Sequence, residues 1–119
     1  MISPFEVHAR FEDDVAVLSP RGYLNNLMGE KLEQSCDNLL AEGSQKIVLD
    51  FSEVELINSI GISILLSILE QSTQNNRLLC FARLNPLLEE TFQTLDLSRH
   101  MRVFPSLEEA LIYLRGVNS

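Results

Sequence analysis

Apolar and polar residues alternate over the first stretch of the chain, residues 5–11, with the period of a β-strand that has one buried face. The acidic residues 12–14 end this strand as a turn, and the apolar run 15–18 predicts its antiparallel partner. Residues 21–24 are predicted to continue the second strand past Pro20, close to a sheet edge or a bulge. The expected inward face of the first strand consists of Phe5, Val7, Ala9 and Phe11.

Helical and strand patterns alternate along the rest of the chain. A helix is predicted from a cap at Asn25 or Asn26 to Glu42, before Gly43. Short apolar runs predict buried strands over 46–51 and 78–82, of which the first is expected to be central, and a last short strand is predicted over 101–104. Residues 52–58 are predicted to be a turn. Further helices are predicted over 60–74, from Pro86 with Asn85 as its cap, and from Leu107 with a capping box of Ser106 and Glu109.

This order of elements predicts an α/β fold. Strands that alternate with single helices imply right-handed crossovers onto a mostly parallel sheet. We expect about five strands with an N-terminal antiparallel hairpin, four helices, and a single domain over residues 1–119. In such sheets the functional crevice lies at the carboxyl ends of the strands. The connection 52–61 is expected at that end.

The charge of the chain narrows the classes of partner. A formal net charge of −8 and scattered basic residues argue against binding to nucleic acid, which depends on Lys and Arg for most of its affinity. No signal-peptide pattern is evident, and the longest apolar stretch, 60–69, is too short to span a bilayer. We therefore expect a cytoplasmic protein without membrane insertion, in which Cys36 and Cys80 are buried free thiols.

Few residues suit catalysis or cofactor binding. His8 and His100 stand alone, without ligands at metal-binding spacing, and the sequence contains no Walker loop or dinucleotide fingerprint. The segment 57–61 lacks the first glycine of a serine-hydrolase elbow and an evident histidine partner. We expect no metal, no cofactor and no enzymatic activity.

The strongest candidate for a functional residue is Ser59, between the predicted strand 46–51 and the predicted helix 60–74. A helix N-terminus accommodates an anion, so a serine there is suited to carry a phosphate. The simpler interpretation is an ordinary N-cap serine, for which Asn58 is a competitor. The following residues 60–69 are apolar on nearly every side. They form either a buried helix or one whose uncovered flank is covered by a partner.

These segments resemble the STAS domain family, the anti-sigma-factor antagonists and their relatives. The resemblance rests on the hairpin, on a Gly-x-Leu at 22–24, on the strand 47–50 and on the segment 57–62, and it extends over essentially the whole chain. The family's signature is an apolar residue, Asp, Ser, Ser or Thr, Gly, and Leu or Ile. Asn58 stands at its acidic position, Ser59 at the regulatory serine and Ile60 at the second hydroxyl, while Gly61 and Ile62 match.

The resemblance implies a bacterial partner-switching protein, an anti-sigma factor antagonist that is a substrate and not an enzyme. Its implied partner is an anti-sigma factor and serine kinase with the histidine-kinase-like ATPase fold. This kinase would phosphorylate Ser59 to end binding, and a serine phosphatase would reverse the modification. A weak homodimer is also compatible with the resemblance. The residues expected to contact the partner are Tyr23, Asn25, Glu55, Asn58, Ser59, Ile60, Gly61, Ile62 and Ser63.

Two alternatives remain open from the sequence. The chain could be an adaptor subunit of a larger assembly, of the lipid-transport or stressosome type, that binds constitutively without phosphorylation of Ser59. A weaker alternative is direct binding of a small apolar ligand or a nucleotide.

Overall fold

A computed structural model describes residues 7–99 and 101–117 of the chain. Its strands are β1 (His8–Glu12), β2 (Val15–Ser19), β3 (Gly22–Leu24), β4 (Lys46–Asp50), β5 (Val54–Ile57), β6 (Leu78–Ala82) and β7 (Arg102–Phe104). Its helices are α1 (Asn26–Ala41), α2 (Ser59–Gln74), α3 (Pro86–Thr94) and α4 (Leu107–Arg115). A 3-10 turn, Leu97–Arg99, follows α3 and was not predicted from the sequence.

The main sheet has five strands in the order β1-β2-β4-β6-β7. β1 and β2 pair antiparallel, and the other neighbours pair parallel. The predicted mostly parallel sheet with an N-terminal hairpin is therefore confirmed, as is the central position of β4, in which every residue is buried. Each parallel crossover contains a helix, as parallel pairing requires.

Of the described residues on the predicted buried face of the first strand, Val7 is partly buried against the core, but the prediction is wrong for Ala9 and Phe11. Ala9 and Phe11 are exposed, and Phe11 keeps 56% of its surface accessible. β1 is an edge strand, and alternation along the chain marks two faces without showing whether a helix covers either one. Phe5 lies outside the described residues.

The structure also corrects the second strand and the predicted turn at 52–58. β3 does not continue β2. Instead it pairs in parallel with β5, which lies within the predicted turn, and the two form a separate two-stranded sheet, here called the ribbon. Gly22 enters the ribbon with a φ of +69°, and its N–H donates to the Glu53 carbonyl at 2.7 Å. The pairing shifts register between Gly22 and Tyr23, so the predicted bulge is present.

Helices cover both faces of the main sheet. α1, α2 and α3 lie on one face, where Phe51, Phe81 and Phe92 pack edge to face with ring centroids 5.4–6.5 Å apart. α4 lies on the other face, where Ala110 and Leu114 pack among the valines of β2 and β4.

Side-chain caps fix the starts of the helices. Asn25, Asn58, Asn85 and Ser106 each accept a hydrogen bond from a backbone N–H in the first turn of the following helix. Ser106 and Glu109 also bond to each other through their side chains, which agrees with the predicted capping box. The caps at Asn85 and Ser106 confirm the sequence predictions.

Both cysteines are buried free thiols, as predicted. Burial raises the pKa of Cys36 and of Cys80 to about 12. The thiols stay protonated at neutral pH and serve as packing groups. Among the helices that the structure describes, none has the length and apolar character needed to cross a membrane.

Candidate functional site

The ribbon places the starts of α1 and α2 side by side. Leu24 at the end of β3 is in register with Ile57 at the end of β5. One asparagine follows each strand as the helix cap: Asn25 Oδ1 accepts from the Met28 N–H at 3.2 Å, and Asn58 Oδ1 accepts from the Gly61 N–H at 2.8 Å. Both helices have 16 residues. Two strand–asparagine–helix units therefore open onto the same end of the molecule.

Ser59 is the first residue of α2, and Asn58 provides the cap, which settles the competition between the two residues. Ser59 is exposed. Since Asn58 occupies the Gly61 N–H, the N–H groups of Ser59 and Ile60 are the ones in this first turn that lack an intrahelical acceptor. An anion carried on Ser59 would thus lie at the positive end of the helix dipole.

Gly61 lies beneath this surface and is buried. A Cβ at this position would collide with the backbone carbonyl oxygen of Leu24. The same carbonyl accepts a hydrogen bond from the Asn58 N–H at 3.2 Å. Gly61 therefore lets the first turn of α2 pack directly on the end of β3, which fixes the position of Ser59.

Large apolar side chains remain exposed on the ribbon and in the first turns of α1 and α2. Tyr23 and Leu56 are adjacent in the ribbon pairing, and each is 48% exposed. Leu27 and Ile60 occupy equivalent positions in the first turns of α1 and α2 and are 48% and 53% exposed. We call these four residues the apolar surface. Isolated exposed apolar residues are ordinary, but four at the same end of a small domain are typical of a binding surface.

α2 has both a buried side and an uncovered side. Leu65 and Ile68 are buried in the core, and Ile62, Ile64 and Leu69 are partly buried against it. Ile60 and Leu66 are exposed, at 53% and 40%.

The other residues predicted to contact a partner lie around Ser59 at different depths. Glu55 and Ser63 are exposed, whereas Asn25 and Ile62 are partly buried. Ser63 Oγ donates to the Ser59 carbonyl at 3.1 Å. Of the nine predicted residues, Tyr23 and Glu55 belong to the ribbon, Asn25 and Asn58 are the two caps, and the other five are the first five residues of α2, 59–63. Sequence reasoning did not include Leu27 and Leu56, because their exposure depends on the unpredicted ribbon.

A cleft of about 690 Å³ is lined by residues of both ribbon strands and of the segments next to them. Tyr23, Glu53, Glu55 and Asn85 contribute to its walls. Asn85 Nδ2 donates to the carbonyl of Val54 at 3.1 Å, so the start of α3 is tied to β5. The cleft adds a concave and partly acidic edge to the apolar surface.

A buried ion pair anchors the turn that leads into β5. Asp50 is 3% exposed and accepts from Arg83 Nε at 3.1 Å and Nη2 at 2.6 Å, and from the Ser52 N–H at 3.1 Å. Burial by itself raises the pKa of Asp50, but the hydrogen bonds from Arg83 and Ser52 outweigh it and hold the pKa below the ordinary 3.8. The carboxylate is ionised at neutral pH and fixes the start of the turn.

In residues 7–99 and 101–117, no three His, Cys, Asp or Glu side chains come together in a way that could hold a metal ion.

Comparisons with known proteins give a consistent result. A sequence model of the STAS domain matches residues 6–110 of the chain. The anti-sigma-F factor antagonist RsfB of Mycobacterium tuberculosis is 29% identical over 102 residues, which cover 86% of this chain and 83% of the relative.

Two solved structures share the fold. A crystal structure of an anti-sigma factor antagonist from Mycobacterium paratuberculosis has a TM-score of 0.81 and 23% identity, covering 97% of this chain and 99% of that one. The phosphorylated form of the Bacillus cell fate determinant SpoIIAA has a TM-score of 0.72 and 17% identity, covering 92% and 99%.

Proposed function

Because the chain belongs to the STAS domain family, we propose that it is an anti-sigma factor antagonist that binds a kinase-fold anti-sigma factor and is switched off by phosphorylation of Ser59. The observation that carries the proposal is the position of Ser59, exposed at the first residue of α2 and next to the exposed Ile60. The names of the relatives support the role of antagonist. The protein takes part as the substrate of a kinase and of a serine phosphatase, without catalysis of its own.

The geometry explains how one phosphate would stop binding without unfolding the domain. Ser59 is exposed, and a negative charge at a helix N-terminus gains about 0.3–1 kcal/mol. Asn58 is uncharged and adds no repulsion at the cap. The folded state therefore accepts the phosphate.

The effect on a bound partner is the opposite. A phosphate adds a charge of about −1.5 to −2 beside apolar residues. A partner that covers Ile60 and Leu56 would have to remove water from this charge, a cost that an apolar contact does not repay. The complex is expected to dissociate.

The proposal can be tested with the purified protein, MgATP and the kinase-fold anti-sigma factor of the same organism. Intact-mass analysis should show the addition of one phosphoryl group, and fragmentation should place it on Ser59. The Ser59→Ala variant should bind the kinase and stay unmodified. Thr73→Ala, which changes an exposed hydroxyl residue near the other end of the same helix, is the matched control and should be modified like the wild type.

Two results would contradict the proposal. Modification of another residue would remove the assigned role of Ser59. A stable complex that leaves the protein unmodified in the presence of MgATP would favour the constitutive adaptor.

A further inference from the structure

A second cleft, of about 410 Å³, lies on the opposite side of the Asp50–Arg83 pair from the core. We call it the arginine cleft. It opens beside β1 at the carboxyl ends of β2 and β4, and its volume is within the range of about 300–1,000 Å³ that is usual for ligand sites. Its charged and hydroxyl side chains include Arg10, Arg21, Asp50, Ser52, Glu53 and Arg83.

The arginine cleft contains a high share of the chain's basic side chains. The chain has nine Lys and Arg residues against 17 Asp and Glu. Three of those nine line this one cleft, together with His8, against the two carboxylates of Asp50 and Glu53. The cleft therefore gathers a third of the chain's Lys and Arg side chains at one place on an acidic protein.

Each arginine is held in place by a carboxylate and retains free donors. Arg21 Nε lies 2.9 Å from Glu53, and Arg10 Nε lies 3.4 Å from Glu12. Arg83 donates hydrogen bonds from Nε and Nη2 to the carboxylate of Asp50. A guanidinium has five N–H donors. Among the described residues, both Nη groups of Arg10 and Arg21 and Nη1 of Arg83 have no hydrogen-bond partner, and the three side chains are 42–54% exposed.

The backbone conformation of Arg83 is consistent with a preorganised binding site. Its φ of +62° is uncommon for a residue other than glycine, and such conformations persist where neighbouring contacts enforce them. The Arg83 N–H donates to the Phe104 carbonyl at 3.0 Å, and the side chain lies across the end of β4. The strand ends therefore fix the guanidinium at the edge of the cleft.

From this arrangement we propose that the arginine cleft binds a small phosphate-bearing anion, either free phosphate or a phosphate monoester. Arginine forks match the oxygens of phosphate, and the Ser52 hydroxyl is a further donor. The carboxyl ends of parallel strands are the usual position of ligand crevices in α/β sheets. The ligand would lie at the base of the turn that leads into β5 and then to Ser59, a site separate from the apolar surface.

The test is a titration of the full chain with inorganic phosphate and, separately, with methyl phosphate. Sodium chloride keeps the ionic strength constant, and both calorimetry and backbone amide NMR shifts are recorded. Saturable binding is expected with a dissociation constant of about 1 mM or tighter, with shifts at Arg10, Ser52, Glu53 and Arg83. Tighter binding of one probe identifies the free or the esterified form as the better ligand.

Two variants and a control locate the site. Arg10→Gln and Arg21→Gln change partly exposed side chains and should each weaken binding about tenfold, since each loses charge-assisted hydrogen bonds. Arg115→Gln removes a similarly exposed arginine, paired with Asp13 at 3.0 Å and outside the cleft, and should leave binding unchanged. Absence of saturable binding, shifts confined to the first turn of α2, or equal affinity in all three variants would overturn the proposal.

Discussion

The starts of α1 and α2 have the same geometry but different chemistry. Each follows a strand of the ribbon, each is capped by asparagine, and each presents an exposed apolar residue, Leu27 or Ile60. The first helical residue is Asn26 in α1 and Ser59 in α2. Charged residues begin in the second turn of α1, at Glu30, whereas α2 has none before Glu70.

This difference indicates which features of α2 the proposed phosphorylation switch would require. A capped helix start is present twice, so it does not distinguish a functional site from a structural one. What α2 has in addition is a hydroxyl that can be modified and a long uncharged surface beside it. The start of α1 is therefore an internal control. Variants at equivalent positions of α1 and α2 separate effects on stability from effects on partner binding.

The largest expected effect comes from Gly61, and Gly29 in α1 is the matched comparison. Gly61→Ala should destabilise the protein by about 3 kcal/mol, because its Cβ would meet the Leu24 carbonyl, a backbone atom that cannot turn away. In Gly29→Ala the Cβ would meet the tip of the Ile64 side chain at 2.6 Å. That side chain can rotate and alanine favours the helix, so the change should stay within about 1 kcal/mol. Urea denaturation of both variants is the measurement, and equal losses would contradict it.

The turn that leads into β5 should make the stability of the domain depend on pH. Asp50→Asn should cost about 2 kcal/mol near neutral pH, because Arg83 loses its buried carboxylate. Since the folded pKa of Asp50 lies below its ordinary 3.8, this stabilisation is present above about pH 3.8 and is lost as the pH falls through the lower folded value.

The measurement is the free energy of unfolding of the wild type and of the variant between pH 7 and pH 2. The two curves should converge at the acid end. The control is Asp96→Asn, whose partner Arg99 is exposed, and this change should alter stability by less than about 0.5 kcal/mol. A difference between wild type and Asp50→Asn that is independent of pH would contradict the assignment.

Loss of either cap should affect stability less than the changes at Gly61 and Asp50. Asn25→Ala and Asn58→Ala should each cost about 1 kcal/mol, because each leaves one backbone N–H of the first turn without its acceptor. Binding of the anti-sigma factor should weaken more for Asn58→Ala, since this cap holds the turn that carries Ser59. Thermal unfolding and a binding titration give the two quantities, and a larger loss of binding for Asn25→Ala would contradict the assignment of the site to α2.

Local sequence patterns were sufficient to predict most strands of the main sheet and the helices that cover it. The buried run of β4 and the cap Asn85 followed by Pro86 depend on neighbouring residues, and these predictions were confirmed. The ribbon was missed because β5 has only four residues and its single partner, β3, is distant in sequence. Strands this short contain too few residues for a recognisable alternation of apolar and polar positions.

The start of α2, where the candidate site is proposed, could be predicted from the sequence, but the exposed residues around it could not. The positions of Asn58 and Ser59 at the start of α2 follow from the motif, whereas the exposure of Tyr23 and Leu56 depends on where the ribbon lies. Exposure alone does not identify a binding residue. Phe11 is more exposed than any residue of the apolar surface, yet it lies on an edge strand, away from the helix starts. Only the neighbourhood of Ser59 gives the exposed residues a functional interpretation.

The most direct test of the central claim compares Ser59→Asp with Asn26→Asp in binding to the kinase-fold anti-sigma factor. Both changes place a carboxylate at the first residue of a ribbon-bound helix, where it should raise stability slightly in each case, by about 0.3–1 kcal/mol. The account predicts that Ser59→Asp abolishes measurable binding while Asn26→Asp retains most of it. Wild-type affinity in Ser59→Asp, or equal losses in the two variants, would contradict a switch at Ser59.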